Sequence, residues 1–178
     1  MGALLFLDIE TLGIAPGSAI WEVAAQRFEG GVLQGQMSVF VMHDINAVDP
    51  DLPQSFRDDY AERYQAELAI GIRPMFERLE RFSEGAMVCG SNVSFDMERL
   101  ERLAEQWNAV PPTWHYHPKD VPDMVHGYLW GRGVRPAQPW RTNFLSQAIG
   151  VDPNQYARHT ALGDVQWCRA MWEAIGGQ

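Results

Sequence analysis

Five consecutive apolar residues, Ala3–Leu7, lead directly into two carboxylates, Asp8 and Glu10. An unbroken apolar run of strand length predicts a central β-strand buried on both faces. The rest of the chain must therefore supply a sheet with cover on each side. Ile20–Phe28 and Val32–Met42 are rich in β-forming residues and flank Gly30-Gly31, a hairpin signal. The chain is thus predicted to open with three strands, at least two of them antiparallel. Residues 43–70 are polar, with Pro50 and Pro53, and read as a loop followed by a helix. An amphipathic helix is expected over Ile72–Phe82, a short buried strand over Met87–Cys89, and a helix over Phe95–Trp107. Thr113–His117 reads as a fifth strand, and Met124–Trp130 and Asn143–Ile149 as short helices. The last helix begins near His159, with Ala161, Val165, Cys168, Trp172 and Ile175 forming a stripe at helical spacing. Strands followed by alternating helices and strands give a mixed α/β pattern.

The 178 residues suit one domain, 1–178, with a full hydrophobic core. With 46% apolar and 21% charged residues, a soluble globular chain is expected. No apolar run approaches the roughly 20 residues needed to cross a bilayer. Ala3–Leu7 is too short for a signal peptide and lacks a basic flank, so a cytoplasmic location and no membrane partner are expected. Cys89 and Cys168 stand far apart, outside any metal-ligand spacing, and read as small buried hydrophobes. The net charge of −9 argues against a general basic coat for nucleic acid. The charge is uneven, however. Residues 1–66 carry ten acids and three basic residues, whereas Gly127–Asn143 carries three arginines and no acid.

Three segments carry candidate chemistry. Asp8 and Glu10, two residues apart on one strand, point to the same face. Two carboxylates there repel each other and resist desolvation, and a divalent cation would remove both costs. Alternatively, they are the polar end of a strand turning into solvent. The second segment, Asn92-Val93-Ser94-Phe95-Asp96, opens a helix after a buried strand. Asp96 there could bind metal or simply oppose the helix dipole, and Asn92 could be a cap. In the third, His159 to Asp164, the carboxylate flanks the apolar stripe of the last helix and wants a strong partner, either a metal or an arginine. His159 precedes that helix, and an imidazole can take a proton at neutral pH.

Taken in order, these segments resemble the three exonuclease motifs of the DnaQ-like (DEDD) exonuclease superfamily, within the ribonuclease H-like fold. The matching residues are Phe6-Leu7-Asp8-Ile9-Glu10-Thr11-Leu12-Gly13, Asn92-Val93-Ser94-Phe95-Asp96, and His159 through Asp164. A His five positions before the last Asp is similar to the DEDDh type. The DEDDy type would place Tyr where this chain has Thr160. Leu12 stands where many relatives have a second Thr.

The resemblance implies a mixed five-stranded sheet flanked by helices, with three antiparallel N-terminal strands and parallel later ones. It also implies 3′→5′ removal of 5′-nucleoside monophosphates. Asp8, Glu10 and Asp164 would hold one metal, and Asp8 and Asp96 a second. His159 would be the general base. Hard oxygen ligands suit Mg²⁺ or Mn²⁺, and two such ions can clamp an in-line displacement at phosphorus. Thr11 and Leu12 match positions just after the first motif that contact the terminal nucleotide, and Asn92 and Phe95 match second-motif positions that line the site. A homodimer is also consistent with the resemblance.

The residues themselves offer one further surface, Trp130-Gly131-Arg132-Gly133-Val134-Arg135 with Trp140-Arg141. Arg132 and Arg135 could neutralise phosphates, and the Trp rings could stack on bases. The other reading is a loop whose Trp side chains anchor in the core. Gln36-Met37-Ser38-Val39-Phe40 looks like a clamp-binding peptide, but it lies inside a predicted strand and reads as one. RNA and single-stranded DNA both fit as polymers with a 3′ end. A catalytically silent nucleic-acid-binding or regulatory subunit on the same fold is the competing reading. An unrelated module would leave the carboxylates dispersed.

Overall fold

The computed structural model describes residues 2–49 and 51–177; Pro50, counted above in the polar 43–70 segment, lies outside them. The apolar run becomes β1 (Leu4–Thr11), the centre of a five-stranded sheet of order β3-β2-β1-β4-β5. β2 (Ile20–Glu29) pairs antiparallel with β1, and β3 (Val32–Phe40) antiparallel with β2. β4 (Met87–Gly90) and β5 (His115–Asp120) run parallel to β1 on its other side. This is the strand arrangement that the resemblance implies. The Gln36–Phe40 peptide lies inside β3, as its alternation predicts.

Strand periodicity divides the core in two. Leu5, Leu7 and Ile9 of β1 pack with Met75, Phe76 and Leu79 of α2 (Ile72–Ser83) and with Val93, Leu100 and Ala104 of α3 (Val93–Trp107). Phe6 faces the opposite layer. There it joins Val121, Val125 and Leu129 of α4 (Val121–Gly131), Leu145 of α5 (Thr142–Ala148), and Ala161, Val165, Cys168 and Met171 of α6 (Ala161–Ala174). Asp8 and Glu10 share the parity of Phe6, so they emerge on the side that α6 covers. Both cysteines are free and buried. No helix among the described residues is long and apolar enough to cross a membrane.

Three of the boundaries that differ from the sequence reading have a local reason. β1 runs on to Thr11 because its far end keeps pairing with β2, Glu10 opposite Glu22 and Thr11 opposite Ile20. The carboxylates are therefore inside the strand. β5 lies at His115–Asp120, later than Thr113–His117, and α4 starts at Val121, before Met124. β5 is an exposed edge strand, so His-Tyr-His-Pro-Lys carries no apolar alternation to mark it. Its last residue, Asp120, ends the strand by accepting a 3.2 Å bond from the Asp123 N–H, capping α4. The helix of the 43–70 segment is α1 (Gln54–Arg63), which buries none of its residues.

Candidate active site

Asp8, Glu10 and Asp164 each offer an oxygen within 4.8 Å of the others. Their meeting comes from the layering. β1 directs Asp8 and Glu10 toward α6, and α6 presents Asp164 in its first turn. Asp96 arrives from the other layer. β4 pairs with β1 from Leu4 to Phe6, so the Ile9 N–H farther along β1 needs another acceptor. The Asp96 Oδ1 supplies it, accepting from the Ile9 N–H at 3.0 Å in a buried bond. That places the fourth carboxylate between the positions of Asp8 and Glu10. Gly90 permits the turn into α3, since a Cβ there would meet the Leu7 carbonyl oxygen at 3.0 Å.

The electrostatics are unfavourable without a cation. Burial pushes Asp8 well above the usual carboxylate range, and the charges of Asp96, Asp164, Glu10 and Glu22 push it further. Glu10 is raised to about 8, by burial first and then by Asp164, with Arg63 opposing. Asp96 is raised by burial and by Asp120, against the lowering effect of the Ile9 N–H and Arg99. A divalent cation on three hard oxygens would supply the missing positive charge. The donor set therefore fits Mg²⁺ or Mn²⁺ chemistry.

Asp164 is better provided. Its Oδ1 accepts from Arg158 Nε at 2.6 Å and its Oδ2 from the His159 N–H at 3.1 Å. Of the two partners open to it in the sequence, the arginine is present. The Arg158 guanidinium also lies 3.5 Å from the Trp167 ring centroid and donates to Asn143 Oδ1 at 2.9 Å. His159 is exposed and adopts a left-handed φ of 64°, a conformation that costs an L-residue roughly 1–2 kcal/mol. Thr160 comes next as the N-cap of α6, accepting from the Gly163 N–H at 3.0 Å.

A small cleft runs from Glu10 to His159 between Leu12, Trp21, Phe56 and Tyr60. Its volume, about 20 Å³, holds about one water and no base.

The other candidate contacts are less open. Leu12 is 2% exposed, and both its backbone groups are engaged, by Ala19 and Asp49. Thr11 Oγ1 donates to the Gly13 carbonyl at 2.8 Å. The Phe95 ring lies under the Arg99 guanidinium. Asn92 is exposed but takes a left-handed φ of 54° and makes no side-chain cap. Burial raises the Asp120 carboxyl above its ordinary value, and the nearby Asn92 and Val93 N–H groups oppose that rise. Arg132 and Arg135 lie just past the C-terminus of α4, whose eleven residues carry them roughly 16 Å from Asp120. They lie against their own chain's Tyr128 and Trp130 rings, so the structure does not bring them to the carboxylates.

Comparison with solved structures returns exonucleases. E. coli exonuclease I in complex with a 5cy-dT13 oligonucleotide matches with a TM-score of 0.73 and 19% identity, over 98% of this chain and 40% of that one. A second exonuclease I structure matches with a TM-score of 0.76 and 19% identity, over 98% and 41%. The zinc-bound form of the E. coli exonuclease I–ssDNA complex matches with a TM-score of 0.70 and 19% identity, over 98% and 40%. The chain has the ribonuclease H-like fold. At this identity the likeness establishes the fold, and the chain spans about two fifths of the length of these neighbours. No protein-family model matches the sequence, and no curated protein matches it.

On the ribonuclease H-like sheet, several site residues carried no sequence signal. Arg63 of α1 pairs with Glu22 at 2.6 Å and reaches the His159 carbonyl, its partner 96 positions away. Glu22 is buried and stands opposite Glu10 across β1 and β2. Arg158 adjoins His159 in sequence, which was its only clue.

Proposed function

We propose that this chain is a metal-dependent 3′→5′ exonuclease of the DEDDh type, 1–178 being its exonuclease domain. The convergence of Asp8, Glu10 and Asp164 within 4.8 Å carries the reading, with Asp96 held beside them on the Ile9 N–H. Asp8, Glu10 and Asp164 would hold one Mg²⁺ or Mn²⁺, and Asp8 with Asp96 a second. Such ions would lower the pKa of the attacking water and stabilise the leaving 3′ oxygen. His159 takes the proton from that water on a ring nitrogen, since its exposed turn borders Glu10. Asp164 orients this group by accepting its backbone N–H. The product is a 5′-nucleoside monophosphate. The exonuclease I neighbours carry single-stranded DNA, which makes that polymer the first substrate to test, with single-stranded RNA beside it.

The test is release of labelled mononucleotide from the 3′ end of each polymer, with Mg²⁺, Mn²⁺ or chelator, and Asp164→Ala as the contamination control. Metal-dependent release is expected, lost in the variant by on the order of a thousand-fold. No release from either polymer, with retained strand binding, would support the silent binding subunit instead.

A further inference from the structure

α1 stands against the site without burying a single residue. Rings, a 2.8 Å hydrogen bond between Tyr60 and His43, and the cation Arg63 tie it to the rest of the chain. Tyr60 meets the edge of Trp21 at 5.3 Å between centroids, and Phe56 meets the edge of His159 at 6.3 Å. The cation is Arg63, in the last turn. Its Nε donates to both Asp59 oxygens at 3.0 Å, and its Nη1 donates to Glu22 at 2.6 Å. Its Nη2 donates to Asp59 at 2.8 Å and also to the His159 carbonyl oxygen. The guanidinium carbon lies 4.5 Å from the Trp21 ring centroid. Two carboxylates and a ring thus fix its orientation, and the second N–H of Nη2 is aimed at the His159 carbonyl.

His159 needs such a tie. It is exposed, non-glycine and left-handed. Its N–H is held by Asp164 on one side. The peptide group on its other side ends in the carbonyl that Arg63 grips. Together these two bonds set the direction in which the imidazole leaves the backbone.

We propose that Arg63 is a positioning residue for His159: α1 clamps the turn before α6 through this guanidinium, holding the imidazole over the carboxylates. The inference rests on the reading of His159 as general base. A lysine cannot replace the clamp. Its ammonium has the charge but not the planar fork that reaches Asp59, Glu22 and the carbonyl together.

The experiment measures kcat and KM on a labelled single strand for Arg63→Ala and Arg63→Lys, each alone and with His159→Ala, at saturating Mn²⁺. Each single Arg63 variant should lose about ten-fold in kcat with KM within about two-fold. On the His159→Ala background the same substitutions should change the residual rate by less than about two-fold. Losses that multiply fully with His159→Ala, or that vanish at saturating Mn²⁺, would show Arg63 serving the fold or the metal site, and would overturn the proposal. Where Arg63→Ala does not fold, Arg63→Lys decides alone. A full rate in His159→Ala sinks the base assignment itself. A slow His159→Ala beside a full-rate Arg63→Lys sinks only the clamp.

Discussion

The two halves of the carboxylate cluster are built differently. Asp8, Glu10 and Asp96 project from the central strand and from α3, where Asp96 is buried and Asp8 and Glu10 are half-buried; they repel one another, and their protons are held above the usual range. Asp164 sits at the start of α6 with Arg158 on one oxygen and the His159 N–H on the other. The strand half is rigid but electrostatically incomplete. The helix half is satisfied, yet its neighbour His159 rides on an exposed left-handed turn. A cation bound there would have its main work on the strand side, whereas geometry has to be imposed on the helix side by side chains.

The largest break in this contrast comes from Gly163. A Cβ there would run into the Ala157 carbonyl oxygen and lie 2.7 Å from Thr160 Oγ1. Gly163→Ala must displace the turn holding Arg158 and His159. We expect a loss of roughly 2–3 kcal/mol in urea unfolding, with the rate falling more than about ten-fold.

A smaller effect sharpens the strand half. Folded-state carboxylate pKa values above the unfolded ones give stability that is present at low pH and lost as pH rises through the folded value. For Glu10 the window runs from the ordinary 4.5 to about 8, and Asp8 and Asp96 act in the same direction. Chelated protein should therefore melt progressively lower as pH rises across that window, and saturating Mn²⁺ should flatten the slope. A chelated protein whose melting temperature rises over the same range would refute the repulsion argument.

On the helix half, Arg158→Ala removes a charged hydrogen bond from Asp164. It should cost about 1–2 kcal/mol in chemical unfolding and leave the pH slope of the strand half in place. The smallest effect is expected far from both halves. Arg132→Ala with Arg135→Ala should weaken strand binding slightly and lower the salt dependence by about one unit for each phosphate no longer neutralised. Unchanged affinity at several salt concentrations would remove this surface from the substrate path.

The strand half was legible in the sequence because period two and one apolar run place Asp8 and Glu10 without knowledge of anything distant. Asp96 and Asp164 were legible as helix-start carboxylates, and their order gave the resemblance its force. The sheet was equally legible, apart from β5, whose exposed edge leaves no apolar pattern. The clamp was not. Arg63 lies in a polar segment with no periodicity, and its partners Glu22 and His159 come from distant elements that only the folded sheet and α6 bring together.

Everything above turns on whether these four carboxylates form a cation site that the chain alone leaves unsatisfied. Mn²⁺ calorimetry at pH 6.5, in two buffers of different ionisation enthalpy, decides it. Saturable binding with net proton release is expected, because raised carboxylates must ionise to ligate, and both should be lost in Asp8→Asn. Mn²⁺ binding without proton release, or binding that survives unchanged in Asp8→Asn, would contradict the site.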